Sequence, residues 1–180
     1  MRKQQAIFLD RDGTIIEDRG HIRSSSQINF YPDAINSLKR LQRKFLLFIV
    51  THQPGVSRGI VSKKELDTVN KKIVTILHKH GIIIKEVYCC PHTREERCFC
   101  IKPNPFFLHK AAEKYNLDLK NSFVIGDHPN DVILADNAGA YGIYVLTGHG
   151  VKHRREITNH SVVYSIRAVS YTHLTLPTIY

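Results

Sequence analysis

Five short apolar runs punctuate this chain, at residues 6–9, 45–50, 82–87, 122–126 and 141–146. Four of them stop at turn-forming, polar or acidic residues, the third runs on into the cysteine cluster, and apolar residues at helical spacing fill the intervals between runs. Runs of that length bounded by turn signals read as buried strands. Strands alternating with helices pack best as a parallel sheet covered on both faces, so the expected fold class is α/β in three layers. Pro32 is expected to open the first helix, with Ala34, Ile35, Leu38 and Leu41 as its apolar stripe. Ser62 and Glu65 form a capping box ahead of Leu66, Val69, Ile73 and Leu77, and Gly81 suits the position past that helix. Asn104 and Pro105 would open a third helix and a fourth would start beyond Asp127, while residues 15–31 read as a loop or flap.

A chain of 180 residues suits one well-buried domain, and an apolar fraction of 42% supports a globular core. The domain is expected to span residues 1–169. Residues 170–180 carry no helical stripe and look like a translated sequencing-adaptor tail, so native sequence is expected to stop near Val169. No apolar run is long enough to cross a bilayer, and no signal peptide is expected, since the N-terminal residues lead straight into the first strand. A cytoplasmic location is therefore expected. The formal charge of +10 attracts anions. Its Lys and Arg residues are dispersed over segments 39–44, 63–72 and 152–155 without aromatic interleaving, which favours small phosphorylated molecules over nucleic-acid readout.

The first run ends in Asp10-Arg11-Asp12-Gly13-Thr14. Ligands of open α/β sheets bind beyond the carboxyl ends of the strands. Alternation along an extended chain sends Asp10 and Asp12 to the same side, where two acids call for a cation or a shared proton between them. Gly13 allows a sharp turn and Thr14 is expected to close it with its hydroxyl. A calcium loop is not expected, because its twelfth position would need glutamate and holds His21. Cys89, Cys90, Cys98 and Cys100 cluster within a short span, a pattern that points to metal ligation before disulfides.

Strand tips laid side by side bring Asp10, Asp12, Thr51, Lys102, Asp127 and Asp131 to one rim. In these residues the chain resembles the haloacid dehalogenase-like phosphatases, in the histidinol-phosphatase and heptose-bisphosphate phosphatase branch. Phe8 to Thr14 matches the first motif of that family and Val50-Thr51 the second. Lys102-Pro103 matches the third, and Gly126-Asp127 with Asp131 the fourth. Cys90-Pro91-His92 with Cys98 and Cys100 matches the zinc loop of the branch, here residues 89–101. The resemblance spans roughly residues 6–150. It implies a Rossmann-like core with the zinc loop in place of a large cap domain. It also implies a phosphomonoesterase with Asp10 as nucleophile and Asp12 as general acid and base. Mg²⁺ would rest on Asp10, Asp127 and the backbone carbonyl of Asp12, with Asp131 supporting its waters or orienting Lys102. Thr51 and Lys102 would face the phosphoryl oxygens. Structural Zn²⁺ would take Cys90, His92, Cys98 and Cys100, leaving Cys89 as a small buried hydrophobe.

The chain departs from the heptose-bisphosphate pattern around the substrate. His52-Gln53-Pro54-Gly55 replaces Asn-Gln-Ser-Gly, Ile101 stands where an arginine precedes the third-motif lysine, and His128 replaces a lysine. Arg58 and His52 are the expected substrate contacts, with His128 and His149 as further candidates. A sugar phosphate such as D-glycero-D-manno-heptose 1,7-bisphosphate is the leading substrate. Histidinol phosphate, a nucleic-acid 3′-phosphate end, and a non-catalytic binding role are the alternatives. A monomer is expected.

Overall fold

The computed structural model describes residues 3–172. Six strands, β1 (Ala6–Leu9), β2 (Leu46–His52), β3 (Ile84–Cys90), β4 (Phe123–Gly126), β5 (Tyr141–Val145) and β6 (Ser161–Val163), form one sheet in the order β3-β2-β1-β4-β5-β6. Every pairing is parallel. The chain lays β2 and β3 outward on one side of β1 and then returns to place β4 on the other. This reversal opens a crevice at the β1 and β4 tips.

Side-chain alternation divides the core in two. Ile7 and Leu9 of β1 and Leu47 and Ile49 of β2 face helices α1 (Ala34–Leu41), α2 (Lys63–Lys79) and α5 (Ile166–Thr172), packing with Leu38, Leu41, Val69, Ile73, Leu77, Ile166 and Val169. Ala6, Phe8, Phe48, Val50 and Tyr88 face the opposite layer, α3 (Phe106–Tyr115) and α4 (Pro129–Ala138). There the Phe8 and Phe48 rings stack at 5.1 Å and those of Tyr88 and Phe107 at 5.1 Å. The three-layer α/β architecture is the expected one.

Element ends differ from the sequence reading where pairing or turns outweigh composition. The capping box of α2 forms as expected, Glu65 N–H donating to Ser62 Oγ at 3.2 Å and Ser62 N–H to Glu65 Oε2 at 2.8 Å. Pro32 instead lies in a turn before α1, because Asp33 adopts a left-handed conformation (φ 66°). Pro105 precedes α3 rather than lying in its first turn. Strand β3 begins later and runs to Cys90, because Thr51 and His52 of β2 pair with Cys89 and Cys90. Strand β6 was not expected at all; three residues at a sheet edge carry no periodic signal. Helix α5 runs through Ser170 to Thr172, and the rest of the expected tail, residues 173–180, lies outside the described residues.

Candidate active site

Asp10 follows β1 directly, its N–H donating to the Ile125 carbonyl of β4 at 2.9 Å, so both strands fix its position. Asp127 and Asp131 stand beyond β4, the latter in the first turn of α4, where its Oδ2 accepts from His128 N–H at 3.1 Å. One oxygen each of Asp10, Asp127 and Asp131 lies within 4.8 Å of the others. Lys102 Nζ donates to Asp10 Oδ1 at 2.7 Å and to Asp131 Oδ1 at 2.8 Å. Four charges, three of one sign, thus share a buried crevice.

The electrostatics follow from that imbalance. Burial pushes Asp127 up to about 8, with the Asp10 and Asp131 charges adding to the effect. Burial likewise raises Asp10 to about 6, against the opposing pull of Lys102. Burial alone would lower Lys102, but Asp10 and Asp131 outweigh it and hold the ammonium above its ordinary range. A cluster short by one or more positive charges, made only of hard oxygen donors, fits a divalent cation such as Mg²⁺. Backbone packing supports the same pocket. Gly13 (φ 82°) and Gly148 (φ 55°) approach Asp127 so closely that a Cβ on either would strike its carboxylate. His149 N–H donates to Asp127 Oδ2 at 2.7 Å.

Asp12 lies beside this cluster, 13% exposed, under donors that its sequence neighbourhood does not advertise. The fully buried Arg11 donates from Nε to Asp12 Oδ2 at 2.9 Å and from Nη2 to Oδ1 at 3.1 Å, while its Nη1 reaches Asn70 of α2 at 2.7 Å. Gln53 Nε2 donates to Asp12 Oδ2 at 2.7 Å and to Thr51 Oγ1 at 2.9 Å. Burial raises Asp12 above the usual carboxylate range, opposed by Arg11. Thr14 corrects an expectation. Its Oγ1 is buried and finds no partner, and it is Thr147 Oγ1 that reaches into the turn, donating to the Gly13 carbonyl at 2.6 Å.

The cleft around these groups has a volume of about 180 Å³, and Asp10, Asp12, Thr51, His52, Lys102, Asp127 and Asp131 all line it. So do His128, His149 and three residues that sequence reasoning did not assign to the site, Asp18, Arg94 and Asn130. Arg58 is exposed and is not among the lining residues. It lies in a turn whose backbone folds back on Pro54 and Val56. Burial above all, with the charges of Lys102 and Arg94 nearby, lowers His52; burial, His153 and Arg94 lower His128.

Next to the cleft, Cys90 Sγ and Cys100 Sγ lie 2.8 Å apart, Cys100 Sγ is 3.4 Å from His92 Nδ1, and Cys98 Sγ is 3.1 Å from Cys100 Sγ. The sulfurs are too far apart for a disulfide, whose bond is ~2.05 Å. Burial raises the Cys90 thiol, and burial with the neighbouring thiols raises Cys100 further. Three soft sulfurs and the His92 imidazole, gathered without a disulfide, form a donor set that fits zinc, which binds thiolates and imidazole in closed sites. Cys89 stays outside the cluster, half-buried, and burial pushes its thiol up to about 12. His52 Nε2 donates to the His92 carbonyl at 2.7 Å and ties this loop to the tip of β2.

Comparison with known proteins places the chain among relatives. A family model described as HAD-hydrolase-like matches residues 99–169. The D-glycero-beta-D-manno-heptose-1,7-bisphosphate 7-phosphatase of Vibrio cholerae is 32% identical over 175 residues, covering 92% of this chain and 94% of that protein. The histidine biosynthesis bifunctional protein HisB of Campylobacter jejuni subsp. jejuni is 33% identical over 179 residues, and this chain spans about half (49%) of its length. Among solved structures, the D,D-heptose 1,7-bisphosphate phosphatase of B. bronchiseptica, complexed with magnesium and phosphate, superposes with a TM-score of 0.88 at 27% identity, covering 95% of this chain and 98% of that one.

Proposed function

Because the chain belongs to the haloacid dehalogenase-like hydrolases, in the branch of the heptose-bisphosphate and histidinol phosphatases, we propose that it is a Mg²⁺-dependent phosphomonoesterase acting on a small phosphorylated metabolite. The observation that carries this reading is the convergence of Asp10, Asp127 and Asp131 around Lys102, with Asp12 poised beside them.

Asp10 attacks the phosphorus and forms an aspartyl phosphate as the bond to the leaving oxygen breaks. Asp12 protonates that oxygen, then takes a proton from the water that attacks the aspartyl phosphate, which releases phosphate and restores Asp10. Lys102 and the Thr51 hydroxyl face the charge that builds on the transferring phosphoryl oxygens. A cation held by Asp10, Asp127 and the Asp12 backbone carbonyl would neutralise phosphate charge, and Asp131 fixes Lys102. Zn²⁺ on Cys90, His92, Cys98 and Cys100 would hold the loop beside the cleft.

D-glycero-D-manno-heptose 1,7-bisphosphate is the leading substrate, supported by the nearly full-length similarity to proteins of that name. The similarity to HisB supports histidinol phosphate as the second reading. The test is phosphate release from both compounds, with and without Mg²⁺, by the chain and its Asp10→Asn variant. Mg²⁺-dependent turnover that Asp10→Asn abolishes is expected, and turnover retained by that variant would refute the mechanism.

A further inference from the structure

Arg11 is fully buried, and its ion-pair partner among the described residues is Asp12. The two oxygens of that carboxyl group are served unequally. Asp12 Oδ2 accepts from Arg11 Nε at 2.9 Å and from Gln53 Nε2 at 2.7 Å, and lies 2.8 Å from Arg11 Nη2. Among the described residues Oδ1 accepts from Arg11 Nη2 alone, at 3.1 Å. Three close donors leave Oδ2 no room for an O–H, so a proton on this carboxyl group sits on Oδ1. The far side of the guanidinium is held from another element, Nη1 donating to Asn70 Oδ1 at 2.7 Å. Asn70 is half-buried within α2, on a stretch fixed by the buried Val69 and Ile73. Asparagine is a poor helix former, and here its carbonyl oxygen is the acceptor that a fully buried guanidinium needs.

We propose that Asn70 is a positioning residue which, acting through Arg11, aims Asp12 Oδ1 at the leaving oxygen of the substrate. The proposal rests on the phosphatase reading above and adds to it the atom that carries the proton and the helix that steadies it. A planar guanidinium fork fixes the plane of the carboxylate it grips, and the contact on Nη1 keeps the fork from turning. As Asp10 bonds to phosphorus and the bond to the leaving oxygen breaks, the Oδ1 proton passes to that oxygen. Asp12 is left ionised against the Arg11 charge, with Oδ1 free to take a proton from the attacking water. A hydrogen bond that served only to satisfy the buried guanidinium would affect stability and leave proton delivery unchanged.

The test compares the wild-type chain with Asn70→Leu, which fills the position without an acceptor, and with Asn70→Asp, which keeps one. Each is assayed with Mg²⁺ on an alkyl phosphate, whichever of heptose 1,7-bisphosphate and histidinol phosphate the chain turns over, and on dinitrophenyl phosphate. An alkoxide must be protonated as it leaves, whereas a dinitrophenolate departs without a proton. The quantity compared is kcat/KM, which ends at departure of the leaving group and excludes the later attack of water. Asn70→Leu is expected to lower kcat/KM for the alkyl phosphate about 10-fold, as for the loss of one hydrogen bond to a charged group, and to leave dinitrophenyl phosphate within about twofold. Asn70→Asp should stay within about threefold of wild type on both. Arg11→Lys, which keeps the charge and loses the fork, should show the same selectivity with a larger loss. Equal losses on both compounds, an unchanged kcat/KM for the alkyl phosphate, or an Asn70→Asp variant as poor as Asn70→Leu would overturn the proposal and leave the phosphatase reading intact. A wild-type chain that hydrolyses neither alkyl phosphate refutes that reading and the proposal with it.

Discussion

The Gln53 amide bridges the Thr51 hydroxyl and the Asp12 carboxylate, and Arg11 holds Asp12 from its other side. In the proposed role of general acid, Asp12 would keep its position under these donors but exchange one of them for the leaving oxygen. Gln53→Ala removes the uncharged donor and leaves the Arg11 fork intact. Turnover of an aryl phosphate should fall about tenfold with KM nearly unchanged, since a hydrogen bond to a charged group is worth ~1.5 kcal/mol or more. A rise in KM alone would assign Gln53 to substrate binding instead. The carboxylates make a pH prediction. Asp10 at about 6 and Asp127 at about 8 both lie above the ordinary carboxylate value of 3.8, so the folded metal-free chain holds protons that the unfolded chain releases. Their stabilising contribution is complete below pH 4 and is lost as pH rises from 4 through 8. Mg²⁺ should therefore raise the melting temperature little near pH 5 and by several degrees near pH 8. Asp127→Asn should flatten the metal-free profile, and a Mg²⁺ shift independent of pH would contradict the assignment. Of these residues, Asp10, Asp12, Asp127 and Lys102 were legible because each sits at a strand tip or in a family motif. Arg11, Gln53 and Arg94 were not. Arg11 reads as a surface charge until the fold supplies Asn70, and Arg94 gains meaning only when its loop folds over the cleft.

At the scale of the element, the start of α2 was readable because a capping box is a local hydrogen-bond pattern. Ser62→Ala should cost about 1 kcal/mol and lower the melting temperature by ~2–4 °C, while site geometry and kinetic constants stay as they were. The end of β3 was not readable, because Cys89 and Cys90 join the sheet through pairing with Thr51 and His52, a contact distant in sequence. That register joins the last residues of β2, which line the cleft, to Cys90, the first residue of the Cys/His cluster. Cys100→Ser should therefore do more than lower zinc content. It should loosen the His92 carbonyl from His52 and raise KM for a bisphosphate substrate more than for an aryl phosphate. Metal analysis together with the two KM values checks this, and parallel changes in both would argue that the loop is only a structural clasp.

Across the whole molecule, strand and helix alternation in the sequence sufficed for the layers and for a site beyond the strand tips, since both follow from packing rules that ignore side-chain detail, whereas the strand order that sets the crevice between β1 and β4 did not follow from it. The closing of the sheet face was beyond it. Helix α5 lays Ile166 and Val169 into the same core as α1, buries Ser170, and sets Tyr171 beneath Arg40, whose guanidinium lies 4.2 Å from the ring centroid. The helix runs on to Thr172, where the sequence carries no helical stripe, and packs against α1. Two truncations separate a folded helix end from a dispensable tail. Cutting after Val169 removes Ser170 and the Tyr171 ring from the α1 surface and should cost about 2 kcal/mol, or ~4–8 °C in melting temperature. Cutting after Thr172 should leave the melting temperature unchanged. Phosphatase turnover per folded molecule should match the full chain in both, because α5 packs on the sheet face away from α3 and α4 and contributes no residue to the cleft lining. An equal loss from both cuts would place stabilising contacts beyond Thr172, and an unchanged melting temperature in both would remove α5's last turn from the core.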